Sequence, residues 1–205
     1  MKRSRRASGF TMIEMAVTMT IFAILFTLGV PSMTTWIRNN KVRTVSDSLQ
    51  TGLRLAQTEA LRRSRQVVFA LTNTPTASPL GAVADGSSWA IYSIPSMTDG
   101  SEPPEFIQSG VLSNLSTGVQ VNSNGTAAVC FNAVGRLTTN ASANVVAITG
   151  GATCAQPSGT PPVQTFGISL PGADRPLQVN LSLGGQVHMC VPTVALTDAH
   201  PEGCP

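Results

Sequence analysis

From Phe10 to Val30 the chain is almost wholly apolar, FTMIEMAVTMTIFAILFTLGV, and this run of 21 residues is long enough as a helix to span a ~30 Å hydrocarbon core. Past Pro31 the pattern turns amphipathic. Ile37, Val45, Leu49, Leu53, Ala56 and Ala60 recur at steps of three or four residues or their multiples, which is one apolar face of a helix. Together the two patterns predict a helix from Phe10 to about Arg63, roughly 80 Å long at 1.5 Å per residue. From Gln66 onward the period shifts to two, and short apolar segments alternate with turn-rich loops. Strands are predicted over 66–71, 89–94, 105–108, 118–122, 127–131, 136–138, 143–149, 166–170, 177–183 and 186–191. Leu183-Gly184-Gly185-Gln186 reads as a hairpin with a two-residue turn, since Gly-Gly supplies the positive φ that such a turn demands. Loops 72–88, 95–104 and 150–162 hold much of the Gly and Pro and are expected at the surface. The fold class is α+β: one long N-terminal helix packed on an antiparallel β-sheet head, without internal repeats.

Charge refines this picture. Charged residues are 11% of the 205, against about 25% in an average globular chain, and Ser, Thr, Asn, Gly and Pro take their place. Charge-driven disorder is thereby excluded, and a mean hydropathy of +0.16 excludes a multi-span membrane protein. The net charge of +3 and a pI near 8.9 point toward nucleic acid only until the charges are located. Lys2, Arg3, Arg5 and Arg6 precede the apolar run and hold its N-terminus in the cytoplasm, so the rest is exported. Arg38, Lys41, Arg43, Arg54, Arg62, Arg63 and Arg65 lie along the stalk, opposed only by Asp47 and Glu59, and read as a solvated face whose first members sit near anionic headgroups, with a contact surface for the acidic head of a neighbouring subunit the lesser reading. Trp36 reads as an interfacial anchor. Within the apolar run Glu14 stands out, because a carboxylate that deep costs about 2.5–3.5 kcal/mol and awaits a partner.

Gly9-Phe10-Thr11-Met12-Ile13-Glu14, behind a short basic leader, resembles the class III signal of type IV pilins and type II secretion pseudopilins. The resemblance implies a prepilin peptidase that cuts between Gly9 and Phe10 and methylates the new N-terminal Phe10. It also implies assembly roles for Phe10, for Glu14, which the Phe10 amine of a neighbouring subunit neutralises, and for Pro31, where pilins carry a helix-bending proline. On this reading residues 1–9 are a leader peptide, 10–30 a transmembrane and filament-core helix, 31–65 an amphipathic stalk and 66–205 a periplasmic head. Leu53-Arg54-Leu55-Ala56-Gln57-Thr58-Glu59-Ala60-Leu61-Arg62-Arg63, Phe131-x-x-x-Gly135-Arg136 and the closing strand pair 177–191 resemble the GspH/FimT group of minor pilins and pseudopilins in particular.

Four cysteines, Cys130, Cys154, Cys190 and Cys204, follow the anchor, and an even count in an oxidising compartment reads as disulfides. Three connectivities exist. The favoured one joins Cys190 to Cys204, clipping the tail to the last strand, and Cys130 to Cys154, closing a hairpin-sized loop. The competing reading is a zinc site of His188, Cys190, His200 and Cys204. Asp99, Glu102 and Glu105 read as a solvated acidic patch in a Pro-rich loop, with calcium binding the lesser reading. No Ser/His/Asp set, phosphate-cradling loop or paired-carboxylate motif appears, so no enzyme activity, cofactor or metal is expected.

The expected function is that of a structural subunit in the tip or initiation complex of a type IV pilus. Its implied partners are the prepilin peptidase, other minor pilins or pseudopilins, the major pilin and inner-membrane lipid. Type II secretion uses the same anchor chemistry; the Cys-bearing tail and the long loops favour the pilus. A DNA-uptake role is the other alternative. Some FimT-like proteins bind DNA through basic residues of the C-terminal hairpin, where this chain has Gly185-Gln186-Val187-His188. Beyond Gln66 only Arg136 and Arg175 face seven acidic residues, a balance of 2 − 7 = −5, so weak or absent DNA binding is expected.

Overall fold

The computed structural model describes residues 9–74, 81–95, 102, 104–112, 118–139, 154, 156–157, 160 and 162–205, except for the side chains of residues 28, 29, 31 and 32. The expected strand over 143–149, Asp99 and the side chain of Pro31 lie outside the described residues. By internal packing the chain forms two compact units, residues 1–37 and 38–205.

A single helix, α1 (Met12–Arg63), begins in the first unit and ends in the second. Thr11 caps its start: the Thr11 Oγ1 accepts the Glu14 N–H at 3.3 Å, satisfying one donor that lacks a partner at a helix N-terminus. The Thr-x-x-Glu spacing is that of a capping box. Farther along, Thr18, Thr20 and Thr27 donate their hydroxyls to carbonyls three or four residues back, so these polar groups are satisfied by their own helix. The described apolar side chains of the first unit stay uncovered, with Met12 95%, Ile13 74% and Phe26 64% exposed. Among the described residues no helix is long and apolar enough to cross a membrane.

In the second unit α1 buries Val42, Val45, Leu49, Leu53, Ala56 and Ala60 completely, on one face at three- and four-residue steps. The packed face thus starts at Val42; Ile37, expected to belong to it, is 43% exposed. The helix ends in a Schellman motif: the Arg65 N–H bonds the Ala60 carbonyl and the Ser64 N–H that of Leu61, with Ser64 in the left-handed region at φ 52°.

Among the described residues ten strands follow: β1 (Val67–Thr72), β2 (Ser88–Ser93), β3 (Glu105–Val111), β4 (Gln120–Asn122), β5 (Ala128–Phe131), β6 (Leu137–Thr138), β7 (Val163–Ser169), β8 (Leu177–Ser182), β9 (Val187–Ala195) and β10 (Gly203–Cys204). They form two five-stranded sheets, ordered β3-β2-β1-β5-β6 and β10-β9-β8-β7-β4. All pairings are antiparallel except the short one between β10 and β9. One core joins the helix face to Phe69, Ile91 and Phe131 of the first sheet and to Phe166, Ile168 and Val179 of the second. A smaller cluster lies on the other face of the first sheet, where Val68, Ala70, Ala90 and Cys130 are buried together with Cys154.

Sequence and structure part at two places. The Gly184-Gly185 hairpin has a three-residue loop, closed by the Ser182 N–H to Gln186 O bond, and Gly185 alone takes positive φ, at 86°. β9 runs through Pro192 to Ala195, past the end of its pairing with β8 at Cys190. Val191 turns its N–H to Glu202 on the β10 side. Alternation therefore puts residue 192 on the side where β8 has ended, and a proline there forfeits no ladder bond.

Candidate functional site

The segment that carries Gly9, Phe10 and Glu14 is open. Phe10 is 77% exposed and Glu14 is exposed, and among the described residues no atom beyond its chain neighbours lies within 4 Å of a Cβ built on Gly9. The Gly9–Phe10 bond lies outside the helix, which starts two residues after Phe10 at Met12.

The helix segment Leu53–Arg63 and the two segments singled out within the head meet at one point. Asn132–Arg136 and Ser182–Gln186 are turns of the same design. In each, an N–H at the fourth position bonds the first carbonyl, the first N–H bonds the fifth carbonyl, and the fourth residue is a glycine at positive φ, 74° for Gly135 and 86° for Gly185. Asn132 Oδ1 accepts the N–H groups of Val134 and Arg136, which fixes the first turn; Ser182 Oγ accepts from Gln186 in the second. The Gln57 amide on the helix donates to the Gly135 carbonyl at 3.0 Å, and the Leu137 N–H bonds the Leu183 carbonyl at 3.0 Å. A Cβ on Gly185 would collide with the Gly135 carbonyl and the Gln57 amide. The helix and both sheets are thus locked together where Leu53–Arg63, the Phe131-x-x-x-Gly135-Arg136 stretch and the last hairpin converge.

The basic end of the stalk is paired, which corrects its reading as a solvated face. Glu59 receives Arg62 in a two-pronged contact, Nε to Oε1 at 3.0 Å and Nη2 to Oε2 at 2.6 Å, and Arg63 Nε at 2.8 Å. Arg63 also bonds Glu105 and Arg65 bonds Glu102. Glu102 and Glu105 therefore serve the helix end of their own chain rather than forming a free acidic patch. Nearer the helix start, Arg38 donates to the Gly172 carbonyl and Arg54 to that of Val187, each at 3.3 Å. These bonds were invisible in sequence, because the separations are more than a hundred residues.

Hydrogen bonds from Arg62 and then Arg63 hold the Glu59 carboxyl down at about 2, below the usual 4.5. A depressed carboxyl pKa contributes stability in full above the unfolded value and loses it as pH falls through the folded value. Acid unfolding of the head between pH 4.5 and 2 should therefore draw on Glu59. Glu59→Gln is expected to lower stability at pH 7 by about 1–2 kcal/mol and to flatten that acid limb, which urea titrations across the pH range measure.

Cys130 is bonded to Cys154, Cα–Cα 5.5 Å, and Cys190 to Cys204, Cα–Cα 5.1 Å. The zinc reading falls with this, because two of its four ligands are consumed in one disulfide. Among the described residues no group of three or more His, Cys, Asp or Glu could hold a metal. His188 is exposed, and His200 meets Glu202 at 3.3 Å at the surface. Sequence reading also missed the anchor of the first sheet. Trp89 lies over Gly52 of the helix and Gly110 of β3, stacks on Phe69 at 5.8 Å and donates its indole N–H to Ser48 Oγ at 3.2 Å. The two glycines are its signal, since each leaves the space a ring needs.

An exposed Gly-Phe-x-x-x-Glu start on an uncovered apolar helix, followed by a head whose core is sealed by the same helix, defines a pilin or pseudopilin subunit. Residues 4–30 match the prokaryotic N-terminal methylation motif, and residues 45–185, more than half of the chain, match type II transport protein GspH. The chain belongs to the GspH family of minor pilins and pseudopilins. Among solved structures it is similar to the type IV minor pilin FimU of Pseudomonas aeruginosa, at 16% identity and a TM-score of 0.47 over 75% of this chain and 93% of that one. It is also similar to EpsH, a minor pseudopilin from the Type 2 Secretion System of Vibrio cholerae, at 12% identity and a TM-score of 0.44 over 75% of this chain and 99% of that one. No curated protein matches it. The families matched are structural rather than enzymatic.

Proposed function

We propose that the protein is a minor pilin, a structural subunit of the tip or initiation complex of a type IV pilus. Prepilin peptidase cuts it between Gly9 and Phe10, removes the leader 1–9 and methylates Phe10. Residues 10–30 then anchor it in the inner membrane and later pack in the filament core, 31–65 form the stalk, and 66–205 make the periplasmic head. The observation that carries this reading is the uncovered apolar helix behind the methylation motif, with Phe22 59%, Leu25 59% and Phe26 64% exposed. Such a surface needs lipid or neighbouring helices to cover it. Once the Phe10 amine of an adjacent subunit meets Glu14, the cost of burying that carboxylate falls. Pro31, near the end of the anchor, is placed to bend the helix in the filament.

A second reading, a pseudopilin of a type II secretion system, is favoured by the description of the family that residues 45–185 match. Deleting the gene in the organism that encodes it separates the two. Loss of surface pili with normal export of secreted proteins supports the pilus subunit; the reverse supports the pseudopilin. Re-expression of Glu14→Ala should fail to restore whichever filament is lost, and full restoration would refute the docking role given to Glu14. For DNA the head, with its balance of −5 beyond Gln66, should give no salt-sensitive retardation in a gel shift.

A further inference from the structure

Asn124-Gly125 is the one Asn-Gly pair of the chain. It forms the tip of the turn that carries the chain from β4 in the second sheet to β5 in the first. Both residues take positive φ, 52° and 80°, and the Thr126 N–H closes the turn on the Ser123 carbonyl at 3.1 Å, the arrangement that Asn-Gly favours in a two-residue turn.

The flanks of this turn are fixed and its tip is not. Ser123 is buried, its N–H and hydroxyl bond the Asp85 carboxylate at 2.6 and 2.9 Å, and its carbonyl also receives Gln164 Nε2 at 3.2 Å. Thr126 Oγ1 donates to Gln164 Oε1 at 3.1 Å. Asn124 and Gly125, by contrast, are exposed. Among the described residues the Gly125 N–H meets no acceptor, and no atom beyond its chain neighbours lies within 4 Å of a Cβ built on Gly125. The Asn124 side chain is held there by one bond, from Nδ2 to Thr165 Oγ1 at 2.6 Å.

We propose that Asn124 is a site of spontaneous covalent modification, at which the Gly125 nitrogen displaces the side-chain amide and water converts the product to aspartyl and isoaspartyl forms. The Gly125 nitrogen gives its proton to solvent and attacks Asn124 Cγ. A new N–Cγ bond closes a five-membered imide, the Cγ–Nδ2 bond breaks, and Nδ2 leaves as ammonia. Water then opens the imide. Cleavage of the N–Cγ bond returns an ordinary peptide with an aspartyl side chain; cleavage of the bond to the main-chain carbonyl routes the chain through Cγ as an isoaspartyl link. One water enters and one ammonia leaves, with no oxidation.

The structure supplies what each step needs. The nucleophile is a solvent-facing N–H without a partner, and glycine puts no side chain beside it. Closure requires the tip to leave its turn geometry, and an exposed tip opens more readily than the flanks that Asp85 and Gln164 hold. Two neighbouring pairs lack these features. The nitrogen that would attack Asn122 belongs to buried Ser123, and its N–H is held by Asp85. The nitrogen that would attack Asp85 belongs to buried Gly86, whose N–H bonds the Val83 carbonyl at 3.2 Å. Either product at residue 124 loses the donor to Thr165 and gains a carboxylate next to the residue that already binds Asp85. The isoaspartyl form also lengthens the crossing between the sheets by one carbon.

The test incubates the full chain in lipid nanodiscs in mildly alkaline buffer and follows it by peptide mapping with mass spectrometry. The peptide that contains Asn124 should gain one mass unit before any other asparagine peptide and should split into aspartyl and isoaspartyl forms. Gly125→Ala should slow the gain by about tenfold or more. Because alanine strains a position at φ 80°, Asn124→Gln is the second variant; its ring would be one atom larger, and it should abolish the gain with unchanged circular dichroism. Urea below the unfolding transition should leave the rate unchanged, since it acts through the unfolded population. An Asn124 that stays intact while other asparagines convert would overturn the proposal, as would an aspartyl product alone at an equal rate in Gly125→Ala. A rate that climbs with urea below the transition would overturn it too, because the reaction would then belong to the unfolded chain.

Discussion

Gly185→Val is expected to destabilise the head by about 3–5 kcal/mol or to prevent its folding. Two costs add. Residue 185 sits at φ 86°, a conformation that β-branched residues avoid. Its Cβ would also strike the Gly135 carbonyl, a backbone atom already held by the Gln57 amide and unable to swing aside. The collision lies where the helix, the β5–β6 turn and the β8–β9 hairpin are joined, so relief requires parting the two sheets. Urea unfolding of the full chain, followed by tryptophan fluorescence, reads the loss. Gly184→Ala, one residue away on an exposed turn position with no crowding closer than 3.7 Å, is the control and should change stability by about 0.5 kcal/mol or less. Equal behaviour of the two variants would contradict the junction.

Trp89→Ala should cost about 3–5 kcal/mol, the range for emptying an aromatic site in a packed core. The ring is 4% exposed and fills the space left by Gly52 and Gly110, where a Cβ would approach it to 3.0 and 2.5 Å. Its loss also strips the Ser48 hydroxyl of the indole donor. The complementary change, Gly110→Val, overfills the same slot and should cost about 1–3 kcal/mol. Because the two changes share one volume, their effects in the double variant should fall short of the sum, by an amount that a double-mutant cycle measures.

The long helix was legible because its signals are local. An unbroken apolar run and then three- and four-residue steps from Val45 to Ala60 specify one helix face without knowledge of what it meets. Strand positions were legible for the same reason, through short apolar runs in β1, β2 and β5, which are buried on both faces, and through alternation in β4, although ends shifted where pairing partners decide them. β7 starts at Val163 because Ser182 of β8 reaches that far, and β10 exists only because the tail returns beside Val191. Turn chemistry was read in part: Gly-Gly marked the hairpin, but a loop of three residues rather than two depends on the Ser182–Gln186 closure. The ion pairs at the helix end were not legible. Arg65 and Glu102 are 37 residues apart, and charge alone does not choose between solvent, a neighbouring subunit and the chain's own Glu102 ahead of β3. The N-terminal methylation motif, by contrast, is local in sequence, and the roles proposed for Gly9, Phe10 and Glu14 come from its resemblance to the pilin signal.

The central claim is that the chain is a processed filament subunit, and the N-terminus tests it most directly. Intact-mass spectrometry of the protein isolated from membranes of cells with active prepilin peptidase should show a single species that lacks residues 1–9, begins at Phe10 and carries one extra methyl group. The same preparation from cells without the peptidase should retain the leader. A mature protein that keeps Lys2–Gly9 in peptidase-positive cells, or is cut beyond the apolar run and released, would contradict the account.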